Sequence, residues 1–106
     1  MTGRPTSSDV VIVGGGAIGC SIAYYLAKAG VKATVIEKGT VGCEASSAAA
    51  GMLAPLAEAP GPGPFLDLGL RSLEMFSGLA AELKSLTGID IEYNPCGILR
   101  AAFSRE

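Results

Sequence analysis

Three glycines, Gly14, Gly16 and Gly19, and one carboxylate, Glu37, are the residues whose types and spacing could do chemistry. Gly14 permits a tight turn, Gly16 lets an anion approach the backbone, and Gly19 allows a helix to pack closely on a strand. A helix starting there offers unpaired N–H groups and the positive end of its dipole to phosphates. Glu37 stands 18 positions after Gly19, and an acid about 20 positions on accepts hydrogen bonds from ribose hydroxyls. A carboxylate there also repels a 2′-phosphate, which disfavours NADP. Glycines and acid together predict the ADP half of FAD or of NAD and do not choose between the two. Taken apart, they read as a helix start and a surface glutamate.

Those residues need a strand, a turn, a helix and a second strand to position them. Val10 to Val13 is a continuous apolar run, as suits a parallel strand covered on both faces. The pattern predicts a helix over residues 17–29, with Ile18, Ile22, Tyr25, Leu26 and Ala29 on one side and Gly30 as its left-handed stop. A second strand is expected over 33–37, which completes one βαβ unit.

Residues 45–55 follow, a run without charge or aromatic ring. Ser46 and Ser47 are cap-type residues that could start a helix and face the phosphates. Ala48 to Gly51 are small enough for a flat ring system to lie against their backbone, with Gly51 and Met52 at its border. A plain buried Ala-rich helix fits the same composition.

A Pro/Gly/Ala loop then leads to a helix expected over 65–86, ended by Gly88. Its apolar stripe is Phe65, Leu68, Leu73, Phe76, Leu79, Ala80, Leu83 and Leu86. Residues 89–93 and 98–103 read as strands joined by the turn Asn94-Pro95-Cys96-Gly97.

Composition excludes several classes. The net charge of −2 leaves no basic footprint for nucleic acid and no polybasic patch for an anionic membrane. Apolar runs fall short of the roughly 20 residues that span a bilayer, and the first residues lack the apolar stretch of an export signal. The 3 cysteines have no CxxC spacing and read as reduced thiols of a cytoplasmic protein. With no histidine, the chain supplies no His base and no His metal ligand; no metal site is expected. At 106 residues it holds at most one small domain.

The βαβ unit ending in Glu37-Lys38, then "ASSAAAGMLAP", "GPFLDLGLRSLEMF" and "LTGIDIEYNPCGILRAAFS", resembles the N-terminal part of the glycine oxidase branch of the D-amino-acid oxidase family. The likeness runs from about residue 9 to 104, and "SAAAGML" is its most specific part. Residues 1–8 are polar and expected to be flexible. The resemblance implies an α/β fold: a Rossmann-like FAD-binding region over 9–88, made of the βαβ unit and the helices after it, then the first strands of an incomplete substrate domain over 89–106. It implies FAD as cofactor, with Gly14, Gly16, Ala17, Ile18 and Gly19 at the pyrophosphate and Glu37 and Lys38 at the ribose. Ala45, Ser46 and Ser47 would lie near the phosphates, and Ala50, Gly51 and Met52 near the flavin. Ala45 stands where some members carry a hydroxyl, so its contact would come from the backbone.

The implied reaction is oxidative deamination of glycine or another small amino acid, with hydrogen peroxide as product, in the service of thiamine synthesis. Sarcosine oxidase, D-amino-acid dehydrogenase and a non-catalytic FAD-fold scaffold are the rival readings. No catalytic residue is assigned, because Arg71, Arg100 and Arg105 read as solvated surface charge. Family members are several times longer, so the chain is expected to be a fragment, inactive alone, of a homo-oligomeric protein.

Overall fold

The computed structural model describes residues 7–101 and 103. The expected flexible segment 1–8 lies mostly outside them, as do residue 102 of the second expected C-terminal strand, Ser104 and Arg105. The chain divides into two compact units, the first ending at Gly51 and the second beginning at Met52.

The first unit holds β1 (Val10–Val13), α1 (Ala17–Lys28), β2 (Ala33–Ile36) and the short α2 (Ala45–Ala48). β1 and β2 pair in parallel, with Val10 opposite Ala33 and Val13 opposite Ile36. Gly14 extends the ladder by donating its N–H to the Ile36 carbonyl at 2.8 Å. α1 stops as expected at Gly30, whose φ of +76° is open to glycine without strain. Among the described residues, Ile12 is the only hydrophobic side chain that is buried.

α1 covers the sheet with a different face from the one its large residues mark. Gly19, Cys20, Ala23, Tyr24 and Leu26 are partly buried, whereas Ile18, Ile22 and Tyr25 are exposed. The reason is steric. A Cβ on Gly19 would lie 2.0 Å from the Gly14 carbonyl oxygen and 3.3 Å from Ile12 Cγ2. Helix and strand therefore meet at the smallest residue, and the bulky side chains one position away turn outward.

The second unit holds α3 (Pro55–Glu58) and α4 (Pro64–Thr87). Pro64 opens α4, where its missing N–H leaves no bond unmade. Gly88 closes it in the left-handed region at φ +75°, donating to the Lys84 carbonyl at 2.9 Å. Leu73, Phe76, Leu79, Ala80 and Leu83 of the expected stripe are partly buried, but Phe65, Leu68 and Leu86 are exposed. Leu66 and Leu70 take the covered positions instead. A Cβ on Gly69 would meet Pro55 Cβ at 2.9 Å, so the contact with α3 sets which side of α4 is covered.

The two strands expected over 89–93 and 98–103 are not formed among the described residues. A strand exists by virtue of a ladder partner. Here Glu92, inside the first of them, also enters the positive-φ region at +54°, which breaks the pleat, while Gly97 at +75° lies in the expected turn.

The glycines separate cleanly by environment. Gly19→Ala should lower the stability of the first unit by about 1–3 kcal/mol through overpacking against Gly14. Gly78→Ala, inside α4 where a Cβ meets nothing within 4 Å, should raise stability by roughly 0.5–1 kcal/mol. Denaturant unfolding of both variants reads the contrast, and an unchanged midpoint for Gly19→Ala would contradict the packing described.

Candidate dinucleotide-binding site

The site is built where β1 and β2 end side by side. The parallel register that sets Val13 against Ile36 brings the glycine turn beside Glu37. The carboxylate there is engaged through both oxygens. Oε2 accepts the Gly15 N–H at 2.8 Å, and Oε1 accepts the Gly39 N–H at 2.8 Å. These backbone donors hold the Glu37 carboxyl below its ordinary value of 4.5, the Gly15 bond first and the Gly39 bond second, against a smaller opposing effect of burial.

Gly15 is the hub of the turn, although it occupies an unspecified position of the glycine pattern. It is buried. Its N–H goes to Glu37, and its carbonyl accepts the Gly42 N–H at 2.9 Å and the Cys20 thiol at 3.3 Å. A Cβ there would sit 3.2 Å from Val41 Cγ2 and 3.3 Å from Glu37 Cβ. Any larger residue there would press on both side chains, which would have to give by a few tenths of an ångström. The three consecutive glycines and the later Gly39 and Gly42 were the signal in the sequence, but the spacing rule does not single them out.

Gly14 has φ of +103° and open space where a Cβ would be. Behind it, α1 begins at Ala17 with no acidic residue in its first turn and with Ala17 and Ile18 exposed. The N–H groups of Ile18 and Gly19 have no helical carbonyl to bond. An uncrowded turn, a helix N-terminus free of negative charge and a neighbouring carboxylate fit a pyrophosphate joined to a ribose.

The segment 45–51 faces this turn. Ala17 donates its N–H to Ser46 Oγ at 2.8 Å, and a Cβ on Gly16 would lie 3.0 Å from the same oxygen. Ser46 and Ser47 do not start α2 as the sequence suggested. The helix begins at Ala45, its N-cap is Glu44 at φ +65°, and no side chain caps it. Ser46 serves α1 instead, and the Ser47 hydroxyl donates to the Glu44 carbonyl at 3.0 Å. Residues 45–51 are all exposed in this chain, and only Ala45–Ala48 of them are helical. Ala50 and Gly51 close the first unit beyond α2, whereas Met52 opens the second and is exposed. Lys38 lies 3.8 Å from Glu44 in an exposed pair, a geometry worth little energy in water.

Among the described residues, no group of three or more His, Cys, Asp or Glu is placed to hold a metal. No helix there is long and apolar enough to cross a membrane.

Residues 9–106 match the family described as DAO, FAD dependent oxidoreductase. The chain is 51% identical to a glycine oxidase of Bacillus licheniformis over 91% of its own length and 26% of that protein. It is 47% identical to a bifunctional protein ThiO/ThiG of Synechocystis over 92% of its length and 15% of that protein. The crystal structure of glycine oxidase from Geobacillus kaustophilus superposes with a TM-score of 0.75 at 49% identity, covering 79% of this chain and 23% of that one. The chain thus spans about a quarter of the length of the glycine oxidases it matches.

Because the folded-state value for Glu37 lies below 4.5, its contribution to stability is present above that pH and is lost as pH falls through the lower value. In a carbon-detected titration the Glu37 carboxyl should turn below 4.5, with the Gly15 amide shift following the same curve. A midpoint at or above the ordinary value would mean that the Gly15 bond does not form.

Proposed function

We propose, from the premise that this chain belongs to the DAO family of FAD-dependent oxidoreductases, that its first unit holds the ADP half of FAD in a protein that oxidises glycine or another small amino acid. The observation that carries this reading is the meeting of the glycine turn, the Glu37 carboxylate and the Ser46 segment at one place.

The chain's own residues bind and orient. The backbone of Gly14, Gly16, Ala17, Ile18 and Gly19 would take the pyrophosphate, through the N–H groups that start α1. Glu37 has spare lone pairs on both carboxylate oxygens after its two backbone bonds. It would accept ribose hydroxyls on these, with Lys38 beside it. A carboxylate so placed also repels a 2′-phosphate. Ala45, Ser46 and Ser47 would flank the phosphates. Ala50 and Gly51 would approach the flavin, as would Met52 by resemblance alone.

Bound FAD supplies the hydride acceptor, so that the amine is oxidised to an imine and oxygen is reduced to hydrogen peroxide. The substrate carboxylate requires a cation, usually a bidentate Arg, and no arginine of this chain is assigned to it. The similarity to glycine oxidases and to the ThiO/ThiG protein favours glycine as substrate and thiamine synthesis as destination. A cytoplasmic homo-oligomer is the setting that this reading implies. The 35% identity to a 4-methylaminobutanoate oxidase of Paenarthrobacter nicotinovorans supports an N-methylated amine as the second reading.

Titration of the protein with FAD, NAD and NADP should show binding in the order FAD, then NAD, then NADP. The flavin-loaded full-length protein should give more peroxide from glycine than from sarcosine or D-amino acids, and this chain alone should give none. Preference for sarcosine would move the assignment to the second reading, and tighter binding of NADP than of FAD would remove both.

A further inference from the structure

The segment 45–51 has nothing apolar to hold it in place. α2 is a single turn of 4 residues with no buried side chain and no side-chain cap. One turn of helix does not form by itself, because nucleation fixes several residues for one hydrogen bond. Its N-cap, Glu44, also adopts a positive φ of 65°, which a glutamate does not favour. Two hydrogen bonds nevertheless tie the polypeptide around α2 to the glycine turn. One joins the Gly42 N–H to the Gly15 carbonyl at 2.9 Å, before α2. The other joins the Ala17 N–H to Ser46 Oγ at 2.8 Å, from within α2.

From this we infer that Ser46 is a positioning residue: its hydroxyl docks segment 45–51 onto the first N–H of α1 and so sets the second wall opposite the glycine turn before any ligand arrives. The inference deepens the cofactor reading and rests on it for the wall's purpose, though not for the contact itself.

Three features of the chain fit this role. Ala17 is the first residue of α1, so its N–H has no helical partner and is available to an outside acceptor. Gly16, the cap of α1, makes no side-chain cap bond, and a cap side chain serves the second or third N–H of a helix, not the first. Ser46 reaches that first donor from 29 positions away in the sequence. Gly16 also keeps clear the space that the hydroxyl occupies, since a Cβ there would lie 3.0 Å from Ser46 Oγ. The absence of a side chain at position 16 therefore serves the latch as well as an approaching phosphate. A serine hydroxyl that accepts the Ala17 N–H retains its own proton for donation, so the latch stays compatible with an anion beside it.

The experiment is amide hydrogen exchange on the unliganded full-length protein that contains this chain, read as the rate at Ala17 relative to Gly14, whose N–H belongs to the β1–β2 ladder. Ser46→Ala should raise that ratio about fivefold to tenfold, the loss expected for one hydrogen bond. Ser46→Thr, which keeps the hydroxyl, should return it to within about twofold of the parent. FAD affinity should follow the same order, with parent and Ser46→Thr alike and Ser46→Ala weaker. An unchanged ratio in Ser46→Ala would overturn the inference, as would a Ser46→Thr variant that behaves like Ser46→Ala. If the exchange ratios behave as expected but the parent binds no FAD, the latch stands and the cofactor reading falls.

Discussion

A single hydrogen bond, from the Gly15 N–H to the Glu37 carboxylate, governs how the rest of the first unit is arranged. The parallel ladder ends with the Gly14 N–H on the Ile36 carbonyl. One residue later the backbone of β2 no longer supplies an acceptor, and the Glu37 side chain takes over. The turn after β1 is thereby fixed to the end of β2 instead of leaving as a free loop. Once Gly15 is fixed, its carbonyl holds Gly42, and the chain is turned back so that Ser46 reaches the start of α1. A one-residue slip in register would exchange the faces of β2 and take Glu37 away from Gly15, and the later contacts would go with it.

Backbone and side-chain polarity matter more here than a large core. A two-stranded sheet is marginal in water, and one face of this one leaves Val11, Val13 and Ile36 exposed. The opposite face is covered by α1 through its smallest residues. Close approach at Gly19 brings the helix start directly behind Gly14, which puts N–H donors beside an open turn. The absence of side chains at Gly14 and Gly19 leaves the turn open to a ligand and lets the helix start approach it.

Much of this was legible in the sequence, and the exceptions have physical explanations. The bounds of β1, α1 and α4 followed from β-branched runs, from glycine and proline punctuation and from helical periodicity, all of which act locally. The covered faces of α1 and α4 did not follow from the large apolar residues. Which face is buried depends on where neighbouring elements approach, and they approach at Gly19 and Gly69. The C-terminal strands failed for a related reason, since alternation confers the capacity to pair but not a partner. Ser46 carried the right chemistry for a helix cap, yet the helix it serves lies 29 positions away. The role of Gly15 was hidden because the glycine pattern treats its position as unspecified.

A dinucleotide held by these converging groups would leave its mark on their amides. An amide-resolved NMR titration of the isotopically labelled protein with FAD tests this directly. The account predicts that the largest shifts fall on Gly14 to Gly19, Gly39 and Ser46, with the far end of α1 unmoved. Shifts that gather elsewhere while Gly15 and Ala17 stay still would contradict it.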